Sequence, residues 1–309
     1  MTSILTNNAA MAALQTLRGI NSDLGHTQNA VSSGLRISKA SDNAAYWSIA
    51  TTMRSDGGAM SAVSDALGLG AAKVDTASTA MDSAISIVQS IKAKLVSAEE
   101  GSVDKGDVQD EITQLQQQLS SVAQSASFSG QNWMVASSGA SASVVSSFVR
   151  SATGGVSVQS TSYTFSDTAT GNVLFGSNST GVIITSSGIL GTVQTLANSA
   201  TSFSVYSLDI TNMTSGGIDS ALSMVEGALK ALTAAGSQLG SLSSRIDLQT
   251  NFVSSLSDSI SSGVGKLVDA DMEEESSKLS ALQTQQQLAV QSLSIANSSA
   301  QNILSLFKN

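Results

Sequence analysis

The chain has 309 residues and a formal net charge of −9, with 12% charged and 4% aromatic side chains. It contains neither Cys nor Pro. The first absence excludes disulfides, thiolate nucleophiles and Cys-ligated metals, and the diffuse acidity argues against a nucleic-acid partner. The second fits long uninterrupted helices and rapid refolding, because Pro breaks helix interiors and X-Pro isomerisation takes about tens of seconds.

The opening stretch MTSILTNNAAMAAL has no basic run and no long apolar core, so no secretory signal peptide is predicted. From there a heptad seam begins. Ala10, Leu17, Leu24 and Val31 recur at one position and Ala13, Ile20 and Thr27 at its companion. Ser33-Gly34 offers a break.

A second helical run is predicted after Ser41-Asp42, both plausible N-cap residues. Its seam is Met60, Leu67, Val74, Met81, Val88 and Leu95. Gly57-Gly58 is expected to weaken this helix, and EEGSVDKGD to end it. Val108, Ile112, Leu115, Leu119 and Val122 mark a third helix.

From Asn132 to about Thr211 the period changes. SVVSSFVR, GVSVQSTSYTF, NVLFG and GVIIT are short, rich in Val, Ile and aromatics, and separated by Gly, Asn and Ser. They read as strands and hairpins. The uncharged stretch from Thr168 to Leu208 is interrupted too often by polar residues to cross a membrane. Heptads then return with Val225, Leu232, Leu239, Ile246 and Val253. SSGVGKLVDAD is expected to break that helix. A last one carries Leu279, Leu282, Leu293, Ile303 and Phe307.

The predicted fold is mainly α with a small β region. Long coiled-coil-like helices fold back as a hairpin, the terminal helices pair, and β-hairpins with at most a small outer domain occupy the middle. Expected segments are 1–33, 34–131, 132–211, 212–268 and 269–309. Many residues of the terminal seams are Ala and bury little area, so the ends are expected to need other copies to become stable.

Two stretches are distinctive. One is SSGLRISKASDNAAYWSIATTMRSD (Ser32 to Asp56); the other is DADMEEESSKLSALQTQQQLAVQSLSIANSSAQNILSLF near the other end. Both resemble the terminal signatures of bacterial flagellin, the subunit of the flagellar filament. The likeness covers roughly residues 1–135 and 215–309. It implies that the outermost segments (1–33 and 269–309) form an inner tube, with Leu17, Ile20, Leu24, Val31, Leu279, Leu282, Leu293, Ile303 and Phe307 as its seam. The next segments would build an outer tube, with the short central region at its surface.

The resemblance further implies unfolded export through a type III flagellar channel and assembly at the distal tip, giving an extracellular filament for swimming. Implied partners are the chain itself and other flagellins, an export chaperone on the C-terminal helix, the export apparatus, the filament cap and the hook–filament junction proteins. In the joint between tubes, Arg36, Lys39, Asp42, Tyr46, Trp47, Arg54 and Asp56 are the candidate inter-subunit contacts. For Asp42, a helix cap stands equally open. A host Toll-like receptor reads an arginine-bearing face in many flagellins. The matching segment here, QSIKAKLVSA, has Lys92 and Lys94 but no Arg, so weak recognition is expected.

No enzyme chemistry and no cofactor are expected. The single His26 excludes a multi-His zinc site, and the chain has no H-E-x-x-H. Asp269, Asp271, Glu273, Glu274 and Glu275 lack the spacing of an EF-hand and suit a helix start. LGLGAAK lies inside a heptad helix, where a phosphate loop does not form. Asn178-Ser179-Thr180 matches a glycosylation sequon. A hook–filament junction protein is the nearest alternative, separated by self-assembly into long fibres. A secreted adhesin would need a larger outer module.

Overall fold

A computed structural model of the chain describes residues 7–100, 102–151, 155–178, 181–195 and 202–306, with side chains up to residue 298. Among them are five helices and four two-stranded antiparallel pairs: a mainly helical chain with a small β region. The helices are α1 (Asn8–Ser33), α2 (Ala44–Glu99), α3 (Lys105–Ser125), α4 (Ser215–Val268) and α5 (Met272–Leu306). None of the described helices is long and apolar enough to cross a membrane.

The helix ends follow local chemistry. The Asn7 side chain accepts from the Ala10 amide to start α1, and Gly34 ends it in the left-handed region at φ 71°, where a Cβ would be strained. The cap of α2 is Asn43, whose Oδ1 accepts from the Ala45 and Tyr46 amides, rather than Ser41 or Asp42. Asp104 caps α3, and Asp271 Oδ1 accepts from the Glu273 and Glu274 amides to cap α5.

The expected break in SSGVGKLVDAD is confined to its last three residues, and the expected weak point does not interrupt its helix. Gly57-Gly58 lies inside α2, and SSGVGKLV is helical to the end of α4, leaving only Asp269–Asp271 between α4 and α5. The glycines there serve close approach. A Cβ on Gly263 would stand 2.8 Å from Met53 Cε, and one on Gly265 2.8 Å from Asp269 Oδ2.

The chain divides into two compact units. One comprises residues up to Gly58 together with those from Ser257 onward. In it α1 and α5 lie side by side, with Asn7 Nδ2 donating to Ala296 O and Gln286 Nε2 to Asn21 Oδ1.

The other unit is Ala59–Leu256. All six seam residues of α2, Met60, Leu67, Val74, Met81, Val88 and Leu95, are buried. So are Val225, Leu232, Leu239, Ile246 and Val253 of α4. Met81 lies 3.6 Å from where a Cβ on Gly236 would stand, which fixes how closely these two helices approach.

On α3 the buried stripe is Val108, Ile112, Gln116, Leu119 and Ala123, with a glutamine at its centre. Gln116 Nε2 donates to the Val205 and Leu208 carbonyls, and Gln109 brackets Leu208 and Ile210. These amides tether a segment that has little regular structure of its own.

The β pairs are local. β1 (Ser127–Phe128) and β2 (Gln131–Asn132) join through Ser129 and Gly130, both at positive φ, a type I′ geometry that matches strand twist. β3 (Ser141–Arg150) pairs with β4 (Val156–Thr164), with a bulge between Val145 and Ser147. β5 (Gly176–Ser177) pairs with β6 (Ile183–Ile184), and β7 (Gln194–Thr195) with β8 (Ser202–Phe203). At the base of the long hairpin Trp133 stacks on Tyr163 at 5.5 Å, and Phe165 meets both edge-on.

Candidate functional site

The joint between α1 and α2 is stitched to the short link between α4 and α5. Leu35 and Asp269 form an isolated antiparallel bridge. The Arg36 and Ile37 amides both donate to Val268 O, and the Ala270 amide donates to Gly34 O. Arg36 adds its side chain, Nη2 donating to Leu267 O at 3.0 Å. Two segments distant in sequence thus satisfy each other's backbone groups.

An apolar knot lies beneath this clasp. Ile37, Ala50, Val264 and Val268 are buried, with Leu35, Met53, Ile260 and Leu267 packed around them. The small Ala50 and the β-branched Val264 and Val268 let α2 and α4 run close together at the joint.

Asp42 organises the turn just outside. Its Oδ2 accepts from the Ser38 amide at 3.0 Å, the Ser38 hydroxyl at 3.2 Å and the Lys39 amide at 3.1 Å. The Ser38 amide, foremost among these donors, holds the carboxyl below its ordinary range. Asp42 therefore shapes the joint rather than capping α2.

Most of the remaining joint residues are presented outward. Lys39 and Arg54 are exposed, and Asp56 is half-buried. Tyr46 and Trp47 expose 43% and 36% of their surface, large fractions for such residues. Trp47 and Arg54, seven apart on α2, share one helix face.

The seam of the terminal helices is incompletely covered. Leu17, Ile20, Leu24 and Val31 on α1 are half-buried, as are Leu279 and Leu293 on α5; Leu282 is buried. Met11 and Leu14, with Leu288, Val290 and Ile295, are exposed. A cavity of about 430 Å³ opens between the two helices, lined by Ala13, Thr16, Ile20, Gln285, Leu288 and Ala289 among others. The Ile303 side chain and Phe307 lie outside the described residues.

No group of three His, Asp or Glu side chains that could hold a metal occurs among the described residues. The backbone amides at the acidic start of α5 are taken up by Asp271. Sequence periodicity indicated the seams but not the clasp, since a bridge of one residue pair leaves no periodic trace.

A long helix pair with half-covered apolar stripes offers a surface suited to self-association. Residues 4–138 match the bacterial flagellin N-terminal helical region and residues 222–307 the bacterial flagellin C-terminal helical region. The chain is 47% identical to flagellin A of Rhizobium meliloti, 50% to flagellin C of Rhizobium meliloti (strain 1021) and 45% to a flagellin of Brucella melitensis biotype 1. Each alignment covers all of both chains. The one to flagellin A runs over 395 positions, so that relative carries sequence this chain lacks.

The chain belongs to the bacterial flagellin family. It is a structural subunit of the extracellular flagellar filament and not an enzyme.

Proposed function

We propose that residues 1–33 and 269–309 form the inner tube of the filament, and that their apolar stripes are completed only by neighbouring copies. The observation that carries this is the exposure of Met11, Leu14, Leu288, Val290 and Ile295 on one helix pair. In water these side chains cost free energy that burial between copies recovers, about 1.5–3 kcal/mol for each fully buried large side chain. Residues 34–131 and 212–268 then build the outer tube and carry torque, with the central segment 132–211 on its surface.

In this reading the joint residues act in two ways. Arg36 and Asp42 hold the clasp and its turn, and Lys39, Tyr46, Trp47, Arg54 and Asp56 face neighbouring copies. The subunit leaves the cell unfolded through the type III channel and adds beneath the distal cap. An export chaperone covers the α5 stripe before assembly, and hook–filament junction proteins bind related ends at the base. The absence of Cys and Pro supports threading, because no crosslink or slow isomer interrupts refolding.

Recognition by a host Toll-like receptor is weak in the same reading. Lys92 is paired with Glu226 and Lys94 with Glu111, which lowers the positive potential of that face. A receptor reporter exposed to purified monomer reads this, and a strong response contradicts it.

The assembly reading is tested by adding purified chain to filament seeds and viewing the product by electron microscopy. Seeds should lengthen. Chain that stays monomeric under seeding defeats the reading.

A further inference from the structure

The joint contains a second, polar cavity, of about 420 Å³. Its wall includes Thr27 and His26 of α1, Arg36 and Lys39 of the joint, and Glu275 and Lys278 of α5. Two buried oxygens among these residues lack a hydrogen-bond donor. One is Thr27 Oγ1, on a residue only 2% exposed; the other is Glu275 Oε2. A buried acceptor without a donor is costly, the more so when it is charged.

The cations beside it do not meet this demand. Arg36 Nη2 donates to Leu267 O, and none of the Arg36 nitrogens reaches Thr27 Oγ1 or Glu275 Oε2. Lys278 Nζ lies 3.9 Å from the other Glu275 oxygen, Oε1, and its side chain is 53% exposed. Lys39 is exposed. Both ammonium groups keep water contact that they would lose on entering the cavity.

We propose that this cavity is a socket for the Arg54 guanidinium of a second copy of the chain, a contact that rests on the filament reading above. A guanidinium offers five donors in a planar fork and can serve a carboxylate and a hydroxyl together. Arg54 is exposed and makes no hydrogen bond or ion pair among the described residues. It shares its helix face with half-exposed Trp47, an aromatic–arginine pairing typical of residues that dominate interfaces. Arg18 is exposed as well, but its neighbours on α1 belong to the inner seam. Socket and plug are different surfaces of one chain, so the contact is head-to-tail, the type that builds open helical filaments when its rotation does not close a ring.

The native chain has no Cys, so introduced thiols report without background. Chain carrying R54C is mixed with chain carrying E275C, polymerised on seeds and treated with a bismaleimide, because an arginine–carboxylate pair holds its Cα atoms farther apart than the about 7 Å that a disulfide can bridge. The proposal expects an intermolecular R54C–E275C crosslink in filaments and none in unpolymerised monomer. R54E and E275R should each raise the concentration needed for elongation by about tenfold or more, as breaking a desolvated pair does. The double charge swap should recover much of that loss, with circular dichroism showing that each monomer keeps wild-type helix content.

Filaments with no R54C–E275C crosslink overturn the proposal, as does R54E chain that elongates as readily as wild type. A crosslink from R18C in place of R54C also overturns it, since the occupant is then a different arginine. Wild-type chain that never lengthens seeds instead refutes the filament reading, and the socket falls with it.

Discussion

Arg36 Nη2 donates to Leu267 O at 3.0 Å, joining residues 231 positions apart in sequence. The same two segments are bound by three backbone hydrogen bonds to Val268 O and Gly34 O. The joint is therefore an intramolecular fastening as well as a surface offered to neighbours. That duality explains why charged and aromatic side chains concentrate in the turn between helices of a chain with few of either.

Replacing Arg36 by Glu removes the hydrogen bond and places a carboxylate beside a carbonyl oxygen. The fastening should weaken by about 1 kcal/mol, as for one exposed hydrogen bond. Filament elongation should fall, and the thermal unfolding of residues 59–256 should stay near wild type. Seeded assembly and calorimetry measure the two effects; normal filaments would remove any role for Arg36 in assembly.

Two glycines of α2 make a matched pair. A Cβ on Gly70 would stand 2.2 Å from Val144 Cγ1, whereas one on Gly68 would meet nothing within 4 Å. G68A should stabilise by up to about 1 kcal/mol through helix propensity. G70A should destabilise by about 1–3 kcal/mol, because β3 must move away from α2. Denaturant unfolding of both variants checks the contrast, and equal stabilisation would show that Val144 yields freely.

Burial pushes the Tyr163 phenol up to about 12, against its unperturbed value of 10.0. The folded state thus holds this proton more tightly than the unfolded chain does. Its contribution to stability is complete below about pH 10 and declines as pH rises towards about 12. Y163F should lose that part of the alkaline decline, which leaves the lysines as background common to both proteins. Thermal unfolding measured across the interval reads the difference; parallel curves for the two proteins would contradict the assignment.

Much of the fold was legible because heptads over tens of residues average out local exceptions. Met60 through Leu95 form one continuous buried seam despite Gly57-Gly58, since neighbouring helices supply what propensity lacks. The break after α4 falls at the Asp269–Asp271 end of the stretch where it was expected, and the helix runs through the glycines before it. Gly263 and Gly265 look like helix breakers in sequence and act as sites of close approach in the structure.

Gln116 was missed because it interrupts an apolar period. Its partners, the Val205 and Leu208 carbonyls, lie 89 and 92 residues away. The β1–β2 hairpin escaped because two-residue strands carry no alternation; only Ser129-Gly130 marked it. For the joint, residue types pointed to the right place, but no sequence rule predicted that Arg36 would bond a backbone carbonyl within its own chain.

On the filament reading, α1 and α5 complete their burial only between copies. Amide hydrogen exchange, measured on monomer and on filament by mass spectrometry, tests it most directly. Fast exchange is expected over residues 8–33 and 272–298 in monomer, with strong protection of the same amides in filament and little change over 59–99. Equal, strong protection of both terminal helices in the monomer would contradict it.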